Sequence, residues 1–292
     1  LVLVSASILV SGLLNATTLY GGLGGHSNGD STDDGALALV DQFTGAVTVI
    51  GHPAGVSRIS GLAFDSNGNL FAATQPSGGF PPPPGPTGGS ALLRLNPANG
   101  AILSSVPVSD GVNQISIADL AVQPGTGVLF GIRSPLDQLG GQGLLYTINK
   151  STGFATLVGN TGDFFGSIAF APNGTLYMAS ADLDFATDNT INIGLKTLNP
   201  SNAATLTFVP TADFFGALDV RPEDGALFGG TGDQHQLFRI NATTGAETLI
   251  GDTGRTFVGD LAFQPVPEPA TLALIGSGLL GMALYRGLRR PR

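Results

Sequence analysis

Leu62-Ala-Phe-Asp-Ser-Asn-Gly68 returns as Leu120-Ala-Val-Gln-Pro-Gly125, Ile168-Ala-Phe-Ala-Pro-Asn-Gly174, Leu218-Asp-Val-Arg-Pro-Glu-Asp-Gly225 and Leu261-Ala-Phe-Gln-Pro265. Each copy is an apolar strand, A, that runs into a turn, and self-similarity at a spacing of roughly fifty residues marks a repeat architecture. A second strand, B, follows each turn: Asn69-Leu-Phe-Ala-Ala73, Val128-Leu-Phe-Gly-Ile132, Thr175-Leu-Tyr-Met-Ala179 and Ala226-Leu-Phe-Gly-Gly230, with a lone fifth copy at Thr18-Leu-Tyr-Gly-Gly22. A second hairpin, C to D, turns at Ala38-Leu-Val-Asp-Gln-Phe-Thr-Gly45, Leu93-Arg-Leu-Asn-Pro-Ala-Asn-Gly100, Leu145-Tyr-Thr-Ile-Asn-Lys-Ser-Thr-Gly153, Leu195-Lys-Thr-Leu-Asn-Pro-Ser-Asn202 and Leu237-Phe-Arg-Ile-Asn-Ala-Thr-Thr-Gly245. The first repeat lacks A and the last A lacks everything after it. Pairing those leftovers closes a ring, which predicts an all-β, five-bladed β-propeller of four-stranded antiparallel blades.

Alternation of strand direction sends the A–B and C–D turns to one face and the B–C and D–A connections to the other. The turns are tight, whereas the length variation lies in the connections Gly22 to Gly35, Gln75 to Ser90, Arg133 to Gly143 and Ser180 to Asn192. Long loops gathered on a rigid ring are where binding is expected, so the loop-rich face is the predicted functional surface.

Composition agrees with a globular β-fold: 42% of 292 residues are hydrophobic, with 44 Gly and 19 Pro. The formal net charge is −9, and removing the tail from Ala270 onward leaves 21 acidic against 8 basic residues, a net −13. Such a body repels phosphate backbones, which argues against nucleic-acid partners. With no Cys, disulfides, thiolate metal sites and cysteine nucleophiles are excluded.

Both ends read as addresses. Residues 1–16 open with an apolar, uncharged run, Leu1 to Leu14, of the length of a secretory h-region, with cleavage after Ala16; the alternative is a first buried strand. At the other end, Pro267 and Pro269 bracket Glu268 and force an extended peptide. Residues 271–285 then form an apolar run, about 22 Å long as a helix against a hydrocarbon core of about 30 Å. Arg286, Arg289, Arg290 and Arg292 close the chain and favour the cytoplasmic side, leaving the body outside. The expected organisation is therefore a signal-peptide remnant at 1–16, a propeller at 17–265 and a sorting signal with a short transmembrane helix at 266–292.

Val266-Pro-Glu-Pro-Ala-Thr-Leu-Ala-Leu274, the Gly-rich apolar segment and the Arg-rich terminus together resemble the PEP-CTERM signal of exopolysaccharide-producing Gram-negative bacteria. The resemblance implies export, a transient inner-membrane anchor, and recognition of Pro267, Glu268 and Pro269 by the transpeptidase exosortase, ahead of display at the cell surface or in the extracellular matrix. The alternative is an ordinary tail anchor. Leu145 to Gly159 and Leu237 to Gly251 also resemble repeats of exported quinoprotein-like and SMP-30-like propellers.

The chemistry-bearing residues are sparse. His26, His52 and His235 fall on the loop-rich face and could converge on a transition metal, although solvated loop histidines are the simpler reading. Asp30, Asp33 and Asp34, and likewise Asp182, Asp184 and Asp188, could offer oxygen ligands to Ca²⁺, or could simply form Asx-turns. Asp163-Phe-Phe-Gly166 and Asp213-Phe-Phe-Gly216 read as blade-to-blade core with a turn cap. Phe80-Pro-Pro-Pro-Pro-Gly-Pro86 reads as a stiff spacer that could also recruit a partner. No nucleophile set or phosphate loop stands out, so no catalytic residue and no obligatory cofactor are expected. The composite expectation is a noncatalytic binding module that meets exopolysaccharide or surface proteins; the alternative is an exported hydrolase or lyase with a metal centre on the loop-rich face.

Overall fold

A computed structural model describes residues 17–24, 32–74, 89–133, 143–184, 186–187, 189–232, 234–254 and 258–265. These form twenty strands in five four-stranded antiparallel sheets. Blade one holds β1 (Leu19–Leu23), β2 (Leu37–Val40) and β3 (Val47–Gly51), with β20 (Val258–Phe263) as its inner strand. Blade two runs β4 (Ile59–Phe64), β5 (Leu70–Thr74), β6 (Ala91–Leu95) and β7 (Ile102–Pro107) from the axis outward. Blade three is β8 (Ile117–Val122), β9 (Leu129–Arg133), β10 (Leu144–Ile148) and β11 (Ala155–Asn160). Blade four is β12 (Phe165–Phe170), β13 (Leu176–Asp184), β14 (Asn189–Leu198) and β15 (Thr205–Pro210); blade five is β16 (Ala217–Val220), β17 (Leu227–Thr231), β18 (Gln236–Ile240) and β19 (Glu247–Asp252).

The ring closes as expected. Leu19 sits opposite Phe263 and Gly21 opposite Leu261 in an antiparallel ladder, so the first and last strands of the body share one sheet. Closure removes the two sheet edges an open array would expose.

Burial falls from the axis outward, which shows where the driving force lies. β20 is buried at every position, whereas the outer strands β7 and β15 are mostly exposed and β19 has no buried position. The apolar core is five wedges, each between two neighbouring blades. Phe71 and Leu92 meet Ile117 and Leu129 between blades two and three, and Phe130 and Ile132 meet Ile168 and Met178 between three and four. Leu195 meets Phe215 and Phe238 between four and five; Phe228 and Leu237 meet Leu19 and Leu261 across the closure. The fifth wedge joins Tyr20 and Leu37 to Ile59 and Leu62.

The C–D turns are one device repeated. The Asp41, Asn96, Asn149, Asn199 and Asn241 side chains each accept a hydrogen bond from the backbone N–H two residues on, at 2.8–2.9 Å. The turns end at positive φ, which Gly supplies without strain in four blades, for example φ 70° at Gly100. Blade four places Ala203 there instead, at φ 61°.

One predicted loop is more ordered than its sequence suggests. Ser180 to Asn192 is an extension of the β13–β14 hairpin, with Asp182 opposite Ile191 and Asp184 opposite Asn189, bulged between Ser180 and Asp182. Ala181, Leu183 and Phe185 alternate there with Ser180, Asp182 and Asp184, a strand period that the run of acids disguises as a loop. The signal remnant, the sorting tail with its apolar run and terminal arginines, and the polyproline stretch lie outside the described residues. No helix among the described residues is long and apolar enough to cross a membrane.

Candidate functional site

The inner strand of a propeller has no neighbour on its axial side, so its N–H groups need other acceptors. Three carboxylates supply them. Asp119 on β8 accepts from Ile168 N at 2.6 Å and Ser167 Oγ at 2.7 Å on β12, and from its own neighbour Leu120 N. Asp260 on β20 accepts from Leu62 N on β4 and, at 2.7 Å, from Leu261 N. Asp219 on β16 accepts from Phe263 N on β20 at 2.5 Å and from Val220 N at 2.8 Å. Each therefore fastens its own blade to the next one around the ring: five to one, one to two, three to four. Ser60 adds the joint from blade two to three, its hydroxyl donating to Ile117 O at 2.7 Å.

Burial raises all three acids. Asp119 is pushed up to about 6 and Asp219 to about 7, while Asp260, hydrogen-bonded to Asp119 and facing its charge, rises well above the carboxylate range. Two carboxyls in contact at a buried site share a proton, and Asp260 is the one that keeps it. All six oxygens of the three acids accept backbone N–H groups, so these are fastening groups before they are acids or bases. Sequence reading missed them, yet the repeat carries the signal. Asp119 and Asp260 stand where the other blades have Gly61, Ser167 and Ala217, and Asp219 stands where the others have Ala63, Ala121, Ala169 and Ala262.

Below Asp219 the channel widens on the turn face into a cavity of about 740 Å³. Every blade contributes to its wall, through Asn67, Gln123, Pro172, Pro222 and Pro265 among others. Asp65 and Lys150 pair across its rim at 3.4 Å. This mouth lies on the side opposite the long connections, among the short A–B turns.

The loop-rich face holds a cleft of about 390 Å³ between blades four and five. It is lined by Phe165, Phe214, Ile193, Thr190, Asp213 and Gln234. The two Asp-Phe-Phe-Gly copies split their roles. Phe164 and Phe215 are buried in the core as expected, but Phe165 and Phe214 are half-exposed, their ring centroids 5.8 Å apart, and form the cleft's apolar wall. Asp213 accepts from Gln234 Nε2 at 3.1 Å beside them. Asp163 is more than a turn cap: it is buried against Lys196 Nζ at 2.5 Å, and burial raises it despite that partner.

The structure describes some of the predicted metal candidates. His26, Asp30 and Asp188 lie outside the described residues. His52 Nε2 is 3.0 Å from Thr32 O, and His235 sits at φ 54° with its Nδ1 buried and unpartnered among the described residues. Asp33 O accepts from Ala36 N at 3.0 Å; burial lowers the pKa of the Arg58 guanidinium, and the charge of Asp34 beside it offsets part of that. Asp182 accepts from the distant Phe164 N and from Asn192 Nδ2 across its hairpin, whereas Asp184 accepts from Ala186 N and Thr187 Oγ1, which is Asx-turn chemistry. Among the described residues no group of three or more His, Asp or Glu is placed to hold a metal ion.

Comparison with known proteins supports this architecture and the address. In solved structures the fold resembles the nidogen/laminin complex, with TM-score 0.50 and 11% identity over 86% of this chain and 99% of that one. It also resembles a gluconolactonase of Xanthomonas campestris (0.49, 16%, 82% and 78%) and a putative gluconolactonase (0.48, 15%, 84% and 81%). At such identities the likeness is one of fold alone. Comparison with curated proteins finds no match. Residues 119–260 match a repeat of unknown function, DUF6923. Residues 265–290 match the PEP-CTERM protein-sorting motif, so a β-propeller body here carries a signal that implies export, a transient membrane stage and processing by exosortase.

Proposed function

We propose that the propeller is a noncatalytic binding module of the cell surface or exopolysaccharide matrix, and that it takes saccharide in the cleft between blades four and five. The observation that carries this reading is the pairing of the Phe165 and Phe214 rings with Asp213, Gln234 and Thr190 in one cleft of about 390 Å³ on the loop-rich face. Sugar rings present C–H faces that pack on aromatic faces and hydroxyls that need both donors and acceptors, and this wall offers each. The cleft lies within the size range of small-ligand sites, roughly 300–1,000 Å³. The channel acids support a noncatalytic role, since every oxygen is already taken by backbone.

Titration of oligosaccharides from the producing bacterium's exopolysaccharide tests the reading. Phe214→Ala should weaken binding by about tenfold, equivalent to roughly 1.4 kcal/mol. Equal affinity of both proteins places the ligand elsewhere. Metal analysis tests the competing hydrolase or lyase reading, because a stoichiometric transition metal lost on substitution of His26, His52 and His235 would defeat the binding-module proposal.

A further inference from the structure

We infer that the anchored protein stands on the membrane by its turn face, with the channel mouth toward lipid and the loop-rich face presented outward. This rests on the sorting-signal reading and adds the orientation that the signal alone does not give.

The geometry begins at Pro265. That residue lines the cavity at the channel mouth, a cavity walled by all five blades and therefore on the ring axis. Gln264 N donates to Thr18 O at 2.9 Å, so the chain is held to blade one until the point where it leaves. Only five residues lie between Pro265 and Thr271, where the apolar run starts, so six residue steps join them. Fully extended, they reach at most about 22 Å.

The ring is too large to be inverted on that tether. Four strands at about 4.8 Å spacing plus the channel give a radius near 20 Å, and strands of five or six residues give a height of about 17–20 Å. A chain starting at the centre of the turn face would have to travel roughly 37 Å over the rim to place the loop-rich face on the membrane. An edge-on ring would need the whole segment stretched taut along the turn face. With the turn face down, the segment has slack.

Charge points the same way. Around the mouth the acids are neutralised in place, Asp65 by Lys150 at 3.4 Å and Asp224 by Arg221 at 2.6 Å. The loop-rich connections carry Asp33, Asp182, Asp184 and Asp213, carboxylates that anionic headgroups repel. The consequence is functional: the saccharide cleft faces the matrix from the moment of export, while the channel mouth is covered until the tail is cut.

The absence of Cys makes the test clean, since one substitution introduces the only thiol. Ser66→Cys marks the A–B turn of blade two, and Ala186→Cys marks the tip of the β13–β14 hairpin; both positions are exposed. Full-length chain carrying a thiol-linked fluorophore is placed in phosphatidylethanolamine–phosphatidylglycerol vesicles doped with headgroup-nitroxide lipid. The label at position 66 should be quenched several-fold more than the label at 186. Equal or reversed quenching of protein that sediments with the vesicles overturns the orientation while leaving the anchor intact. Failure of either protein to sediment with vesicles overturns the anchor reading, and the orientation falls with it.

Discussion

Replacing Asp119 with Asn should flatten the pH dependence of the propeller's stability. Asp119 moves from 3.8 to about 6 on folding, because burial opposes its charge more than its hydrogen bonds favour it. The folded state then binds the proton more tightly than the unfolded chain, so stability falls as pH rises between about 4 and 7. At 1.36 kcal/mol per unit, a shift of about two units amounts to about 3 kcal/mol lost by pH 8 relative to pH 4. For a body of this size, that corresponds to about 6–12 °C in Tm.

Asn keeps an acceptor for Ile168 N but turns its amide toward Leu120 N, so it removes the charge together with one hydrogen bond that the acid accepts. The variant should therefore start below wild type near pH 4, for the lost hydrogen bond, and gain about 3 kcal/mol on it by pH 8. It also removes the charge that raises Asp260, which adds to the flattening. Thermal unfolding of residues 17–265 by circular dichroism, scanned from pH 4 to 8, reads this directly; the strands close on themselves between Leu19 and Phe263, so this piece is a complete folding unit. Asp33→Asn serves as the control for general surface repulsion. Parallel wild-type and Asp119→Asn profiles, or a wild-type protein that gains stability from pH 4 to 7, would refute the assignment of these acids as buried proton carriers.

Three further outcomes are expected. Deleting Thr18 to Gly22 should lower the melting temperature of the whole body and not of blade one alone, since β20 loses its partner ladder; unchanged unfolding would mean the ring closes by other contacts. Lys196→Met should cost about 3–5 kcal/mol by stranding the buried Asp163, and adding Asp163→Leu should recover most of it, as measured by urea denaturation; a single variant as stable as wild type would show the pair to be dispensable. In an exosortase-bearing host the mature protein should end near Pro269, and Pro267→Ala with Glu268→Ala should insert but stay uncut; recovery of Arg292 on surface-exposed protein from that host would sink the sorting assignment.

The sequence showed the fold through what repeats and concealed the site through what does not. Strand spacing, the Asn-led C–D turns and the leftover strands at each end are properties of every blade, so five copies amplify one weak pattern into a clear architecture. Asp119, Asp219 and Asp260 are single departures within those copies. Each looks like an ordinary polar residue until blades three, five and one are placed around a common axis. The Phe165–Phe214 wall was harder still. Phe164 and Phe215 take the core positions, so equivalent residues of the two copies point to different fates, and only the start of each inner strand decides which ring is left at the surface. Periodicity reports which residues are buried by a regular strand, and both rings precede or begin theirs. A comparison of blades position by position, asking where an Ala or Gly has become an acid, would have found the channel; the cleft needed the ring itself.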